Sequence, residues 1–320
     1  MLREFRGAIT ALALVACLAV LAASFDVGIP GQSLLQSLRF HIAAVVLVLS
    51  IVLFASRAWW RGLLVLVVAV SSAAQGGLLV KAQQDVRIEA ATPGTRPLFS
   101  LLSFNLLSSN PNGAAIADFV VASGADVVML MEAAPIAGES EKLRAVYNYV
   151  AACEGCDSVI LSKTPLTDIK VASLGPLWRN RLVTASTVID GARVNLVLAH
   201  LVKPYYDDLA AGEVYVLAEA LQRLEGPLLL AGDFNAAAWS DNIVRLVNWR
   251  SLAPGPAYPA TWPVDLGPFG VPIDNVFTRA PLVITDVRAT EETFGSNHRG
   301  LLAQVALAAG LNEGPIGAAE

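Results

Sequence analysis

Hydrophobic positions are unevenly placed along this chain. Three nearly unbroken apolar runs fill its first 80 residues, at 8–25, 40–56 and 62–80. Their lengths are 18, 17 and 19 residues. A bilayer-spanning helix needs roughly 20 apolar residues, within about 17–25. The pattern therefore predicts three membrane-spanning helices. A cleaved signal peptide is the rival reading for the first run, since Arg3 and Arg6 precede it and Ala22-Ala23-Ser24 resembles a cleavage site. Cleavage would leave the other two runs in place, which favours spans.

Beyond residue 97 the pattern becomes one of short apolar stretches. Strands are expected at 98–107, 126–131, 158–161, 169–174, 182–189, 194–201, 228–231, 273–278, 282–287 and 301–307. Helical spacing appears at 113–123 and 210–224. Many strands with interspersed helices imply a layered α/β domain. Residues 81–97 carry mixed charges and end in Thr92-Pro93-Gly94-Thr95-Arg96-Pro97, which reads as a linker. The Ala/Gly-rich stretch 308–320 reads as a loose tail. The expected layout is a membrane anchor over 1–80, a linker over 81–97, one domain over 98–307, and the tail.

Composition sharpens this division. The chain is 55% hydrophobic and 15% charged, with mean hydropathy +0.57. Soluble domains run about 45–50% apolar and about 25% charged. Disorder is excluded by the apolar content. Residues 1–80 hold seven charges, so the anchor accounts for much of the excess. Arg3 and Arg6 precede the first span, and Arg57 and Arg61 lie between the second and third. Basic residues mark the cytoplasmic side, so everything after Lys81 is expected on the periplasmic or extracellular side of an inner, cytoplasmic membrane. His41 near a span end is expected to be interfacial.

Residues 81–320 hold 17 basic and 25 acidic residues, net −8, with no Lys/Arg run. Non-specific nucleic-acid binders usually show a basic stripe, so long DNA is disfavoured as a substrate. Three cysteines are too few for a disulfide scaffold. On the far side of a membrane, Cys153 and Cys156 are expected to form a local disulfide rather than a redox or zinc motif. Arg179 and Arg181 could recognise an anion or simply be solvated, and Trp239, Trp249 and Trp262 are expected to be core residues.

Polar residues recur where apolar strands run out. LLSFN reaches Asn105, VVMLME reaches Glu132, LVLAH reaches His200, LLLAGDFN reaches Asp233 and Asn235, and VPID reaches Asp274 and Asn275. Any one could be a turn residue, but five together suggest a site, because α/β folds gather sites at strand ends. Carboxylates and amides without thiols suit a hard cation such as Mg²⁺ or Mn²⁺.

The ordered series FN, LMEA, AHLxxPY, LAGDFNA, TW, IDNVF and SNH resembles the endonuclease/exonuclease/phosphatase superfamily over about 98–307, and the anchor resembles a bacterial membrane-attached branch of it. The resemblance implies a four-layer α/β sandwich, with two packed central sheets flanked by helices, that hydrolyses phosphoesters with a divalent metal. It implies that Glu132 and the amide beside it, Asn105, hold the metal and that Asp233 orients or deprotonates the attacking water. Asn235, His200 and His298 would contact phosphate, and Asp274 would pair with His298. The sequence departs from the family pattern at Ser296-Asn297-His298, where S-D-H is usual. Asn297 keeps an oxygen ligand for the metal but loses a charge. Asn275 replaces the histidine that usually follows Asp274. The expected partners are a phosphoester substrate (lipid headgroup, small phosphodiester or nucleic acid) and the membrane, with no obligate protein partner evident. The departures motivate an alternative: a catalytically silent binding or sensor domain on the same fold.

Overall fold

The computed structural model describes residues 1–25, 27–90, 95–153 and 155–308. The expected tail beyond Ala308, part of the expected linker and Glu154 lie outside the described residues. In chain order the helices are α1 (Leu2–Ser24), α2 (Gln32–Ser37), α3 (Arg39–Ala55), α4 (Trp59–Ala90), α5 (Gly113–Ala122), α6 (Ser140–Arg144), α7 (Asp207–Gln222) and α8 (Asp241–Trp249). The strands are β1 (Arg96–Asn105), β2 (Val127–Met131), β3 (Tyr149–Ala151), β4 (Val159–Ser162), β5 (Leu166–Ala172), β6 (Leu182–Ile189), β7 (Ala192–His200), β8 (Leu228–Asp233), β9 (Leu252–Pro254), β10 (Asp274–Arg279), β11 (Leu282–Ala289) and β12 (Leu301–Leu307).

Side chains on a strand alternate between its two faces, and β1 shows what that does here. Leu101 joins a core between the sheets with Val127, Met129, Leu196, Leu198, Leu229 and Ala231. Its neighbours Leu102 and Phe104 face the other way and pack with Ile116 and Val120 of α5. On the far sheet, Val197, Leu228 and Leu230 pack under Leu217 and Leu221 of α7 and Leu246 of α8. Strands buried on both faces read as near-continuous apolar runs, as Val127–Met131 and Leu228–Ala231 do here. Helix, sheet, sheet and helix thus form the four expected layers. One sheet has the order β11-β12-β1-β2-β4-β3 and the other β5-β6-β7-β8-β10-β9. Each holds one parallel pair near its middle, β1 with β2 and β7 with β8.

The amino-terminal helices differ from expectation. Among the described residues, two helices of 18 or more residues are apolar enough to cross a membrane, at Leu2–Ser24 and Trp59–Arg87, where three were expected. The second apolar run forms α3, which stops at 17 residues between Leu38 and Ser56. Helices α1, α3 and α4 share one apolar core containing Ala13, Val20, Val46, Leu53 and Ala69. The stretch read as a linker is helical as far as Ala90. Tertiary hydrogen bonds hold it there: Gln83 Nε2 donates to the Ala238 carbonyl and Gln84 Nε2 to that of Gly255, both at 2.8 Å. Trp239 is buried, with its Nε1–H on the Gln36 carbonyl at 3.0 Å. Trp249 and Trp262, expected in the core, are exposed.

Candidate active site

Strand register assembles the site. His200 and Asp233 are the last residues of the parallel strands β7 and β8, and they are register partners. Asp274, expected where a strand runs out, does not end one. It opens β10, which runs antiparallel to β8 and so brings its first residue opposite Asp233. Three adjacent strands therefore present an imidazole and two carboxylates in a row. Gly232 permits this: its φ is +150°, and a Cβ there would lie 1.8 Å from the Ala199 carbonyl oxygen. Only glycine tolerates both conditions.

The other sheet supplies the opposite side. Asn105 ends β1, and Glu132 follows β2 with a positive φ of 51°. Asn105 Nδ2 donates across the sheets to Asp233 Oδ2 at 3.0 Å and to Glu132 Oε1 at 3.3 Å. Its Oδ1 accepts the Leu107 N–H at 3.0 Å, so the amide nitrogen faces the carboxylates. The other oxygen of Glu132 accepts the Ser108 N–H at 2.7 Å and the Ser108 hydroxyl at 2.9 Å.

Two histidines flank Asp233 Oδ2, with His200 Nε2 at 3.7 Å and His298 Nε2 at 3.8 Å. Each is oriented from behind by a carboxylate. His298 Nδ1 lies 2.8 Å from Asp274 Oδ2 and His200 Nδ1 lies 2.9 Å from Asp157 Oδ2. Ser296 Oγ donates to the Asn105 carbonyl at 2.7 Å and accepts the His298 N–H at 3.0 Å, which ties the last histidine's turn to β1. Asn235 has a φ of 48°; its N–H donates to Asp233 Oδ1 and its Nδ2 to the Leu201 carbonyl, both at 2.8 Å. Seven of the eight sequence-derived residues thus converge. Asn297 is exposed beside them, and among the described residues its side chain joins none of these contacts.

The sequence pattern does not single out Asp157 or Ser108, and it gives no role to Thr261 of the TW motif, whose Oγ1 accepts the Asp274 N–H at 3.2 Å. None ends an expected strand. Asp157 follows the Cys153–Cys156 pair, which is disulfide-bonded as expected. Arg181 pairs with Asp157 at 3.4 Å and stacks on Trp178 at 5.0 Å, whereas Arg179 is exposed.

Charge and burial set the protonation states. Burial and the neighbouring Asp274 charge raise the Asp233 carboxyl, and the two histidines only partly oppose them. Burial would lower His298, but the Asp274 and Asp233 charges outweigh it and lift the imidazole to about 9. Burial also acts to raise Glu132, yet the Ser108 N–H, the His200 charge and the Asn105 amide leave it below the usual carboxylate range.

The donor set fits a hard divalent cation. Ligand atoms of Asp233, Asp274 and His298 lie within 4.8 Å of one another. Asp274 Oδ1 is buried and has no hydrogen-bond partner among the described residues. Buried, closely spaced carboxylates are costly without a compensating cation.

Fold and site together define an α/β sandwich with a carboxylate–imidazole cluster where its two sheets meet. The chain belongs to the Endonuclease/Exonuclease/phosphatase family, whose profile matches residues 102–298. No curated protein sequence matches it. Among solved structures, it is similar to an endonuclease/exonuclease/phosphatase from Beutenbergia cavernae (19% identity, 67% of this chain and 72% of that one, TM-score 0.54). It is also similar to D. rerio TDP2 complexed with a single-strand DNA product (16% identity, 65% and 98%, TM-score 0.54). A third is sphingomyelinase C from Streptomyces griseocarneus (16% identity, 65% and 99%, TM-score 0.51). At these identities the likeness speaks for the fold.

Proposed function

We propose that this protein is a membrane-anchored phosphoesterase that uses Mg²⁺ or Mn²⁺ to hydrolyse a phosphodiester or phosphomonoester with an activated water. The observation that carries the reading is the convergence of Asn105, His200 and His298 on one oxygen of Asp233.

Glu132 would hold the cation beside Asn105, whose Nδ2 donates to both Glu132 and Asp233, and Asn297 is exposed nearby. When bound, the cation would neutralise phosphoryl charge and acidify water. Asp233 would orient the attacking water and take its proton, and its raised pKa makes it a better base than an ordinary carboxylate. Asp274 keeps His298 protonated, so His298 can donate a hydrogen bond to a phosphoryl oxygen. His200, aimed by Asp157, and Asn235 lie beside the same position as further phosphate contacts.

The anchor reading rests on the helical bundle. The outward faces of α1, α3 and α4 expose Leu14, Val15, Leu18, Val45, Val48, Ile51, Leu64, Val67 and Val70, an apolar surface that lipid would cover. Helix α3 packs in one core with α1 and α4, so it crosses with them. At 1.5 Å per residue it is about 25 Å long, at the short end for a span. Three spans with Arg3, Arg6, Arg57 and Arg61 inside leave the domain over 98–307 on the periplasmic or extracellular face. No obligate protein partner is part of this reading.

The test uses the full chain purified in detergent. Bis(p-nitrophenyl) phosphate should be hydrolysed with Mg²⁺, lose turnover with EDTA and regain it with Mg²⁺ or Mn²⁺. Wild-type activity in Asp233→Ala would refute the mechanism. Folded protein that neither binds divalent metal nor hydrolyses would indicate a silent binding domain.

A further inference from the structure

We propose that the loop over residues 261–270 seats in the leaflet facing the catalytic domain and presents the site to a lipid-headgroup phosphoester; this rests on the membrane-anchored phosphoesterase reading above.

The loop carries apolar side chains that the fold leaves uncovered. Its 3₁₀ segment Val264–Phe269 buries none of its residues. Phe269 is 75% exposed, Leu266 50% and Trp262 36%. Exposed single apolar residues are ordinary. Here three lie within eight positions, and the loop is fastened at both ends to informative neighbours.

One end is fastened to the anchor. The Phe269 carbonyl accepts a hydrogen bond from His41 Nε2 at 2.7 Å. His41 is the third residue of α3, one turn before the exposed Val45 and two before Val48. The loop therefore sits at the depth where an apolar helix begins. The bundle's other elements agree on that depth. Phe40 stacks edge-on against Trp239 with ring centroids 4.9 Å apart. Leu79 and Val80 of α4 pack with Val271 and Ile273, immediately after the loop. Leu78 is 66% exposed, and the exposed Lys81–Asp85 ion pair follows within one turn. The apolar ends of the helices thus abut the catalytic domain directly.

The other end is fastened to the site. The Val264 N–H donates to the Asn297 carbonyl at 3.3 Å, and the Arg299 N–H to the Thr261 carbonyl at 2.9 Å. Thr261 Oγ1 also holds the backbone of Asp274. The same ten residues therefore join the head of α3 to the His298–Asp274 pair.

The partner's chemistry follows from the loop's composition. Asp265 is its sole charged residue, and it has no Lys or Arg to meet a nucleic-acid backbone. Residues 81–320 are net negative, which disfavours a polyanion further. Aromatic and aliphatic side chains beside a span end suit the interfacial zone of a bilayer. A phosphoester in that plane would meet the site without leaving the membrane.

The full chain reconstituted in vesicles of phosphatidylcholine, phosphatidylethanolamine and sphingomyelin tests this in two independent ways. In a Cys17→Ala background, Phe269→Cys labelled with bimane should be quenched by brominated lipids, whereas Val188→Cys should not. Absence of quenching at 269 overturns the membrane seat. Separately, L266S/F269S should hydrolyse vesicle lipid at least tenfold more slowly than wild type while turning over bis(p-nitrophenyl) phosphate equally. Unchanged lipid turnover in the variant, or a wild type that cleaves the soluble diester but none of the lipids, overturns the substrate assignment. Hydrolysis of neither substrate overturns the phosphoesterase reading and the assignment with it, while the quenching result still decides the seat.

Discussion

Replacing Asp274 with Asn removes a charge while keeping the side chain's shape, and its effect should be read at His298. In the folded protein this imidazole is lifted from 6.5 to about 9, against burial, with the Asp274 charge the largest upward influence. A rise of that size corresponds to about 3 kcal/mol in favour of the protonated form. At pH 7 the wild-type imidazole is charged by roughly 100 to 1. With Asp274 neutral, burial remains and the largest opposing charge is gone, leaving only those of Asp233 and Glu132, so the His298 pKa should fall clearly below its wild-type value. The sign for stability follows. A raised pKa stabilises the fold fully below pH 6.5, and that contribution disappears as pH climbs through about 9. Wild type should therefore lose stability between those limits, and Asp274→Asn should show a flatter profile. The assay is an NMR titration of the imidazole signals in chelator-treated protein, which has only three histidines to assign, alongside thermal unfolding across pH 6–10. A His298 pKa within half a unit of wild type would refute the argument.

Three further outcomes are expected. Asp233→Asn should cost about 10²–10⁴ in kcat, the usual scale for a general base, without lowering Tm, because the lost carboxylate is one that burial already disfavours. Asp157→Ala should release His200 Nδ1 and lower kcat about tenfold or more with a smaller change in KM; partial rescue by Asp157→Glu would separate orientation from fold damage. Gly232→Ala should destabilise by about 4 kcal/mol or more, read as a collapse of Tm, since its Cβ would overlap the Ala199 carbonyl.

Much of the fold was legible because apolar strands are conspicuous. Strands β6 and β12 fall on the residues that periodicity indicated, as do the cores of α5 and α7. The elements that were missed are short or amphipathic. Strands β3 and β9 have three residues each and gain their hydrogen bonds from neighbouring strands rather than from local preference. Helix α8 buries only Ile243, Leu246 and Val247 among polar neighbours, too sparse a stripe to stand out. The extension of α4 to Ala90 is supported by Gln83 and Gln84 hydrogen bonds to distant backbone, which no local pattern contains.

For the site, sequence alone determined the chemical inventory. Asn105, Glu132, His200, Asp233, Asn235 and Asp274 stand out because scarce polar residues interrupt apolar runs, and His298 because its motif matches a family. What only the tertiary structure decided is which atoms meet. Antiparallel pairing places the first residue of β10 beside the last of β8, so Asp274 reaches the site from a strand's start. Packing of one sheet on the other brings Asn105 within 3.0 Å of an aspartate 128 residues away. Asp157 becomes the partner of His200 through a contact 43 residues apart. The contact of His41 with Phe269 likewise spans 228 residues. Periodicity and composition report what each residue prefers nearby. Pairings between remote segments arise from strand register and close packing, which exist only once the chain has folded.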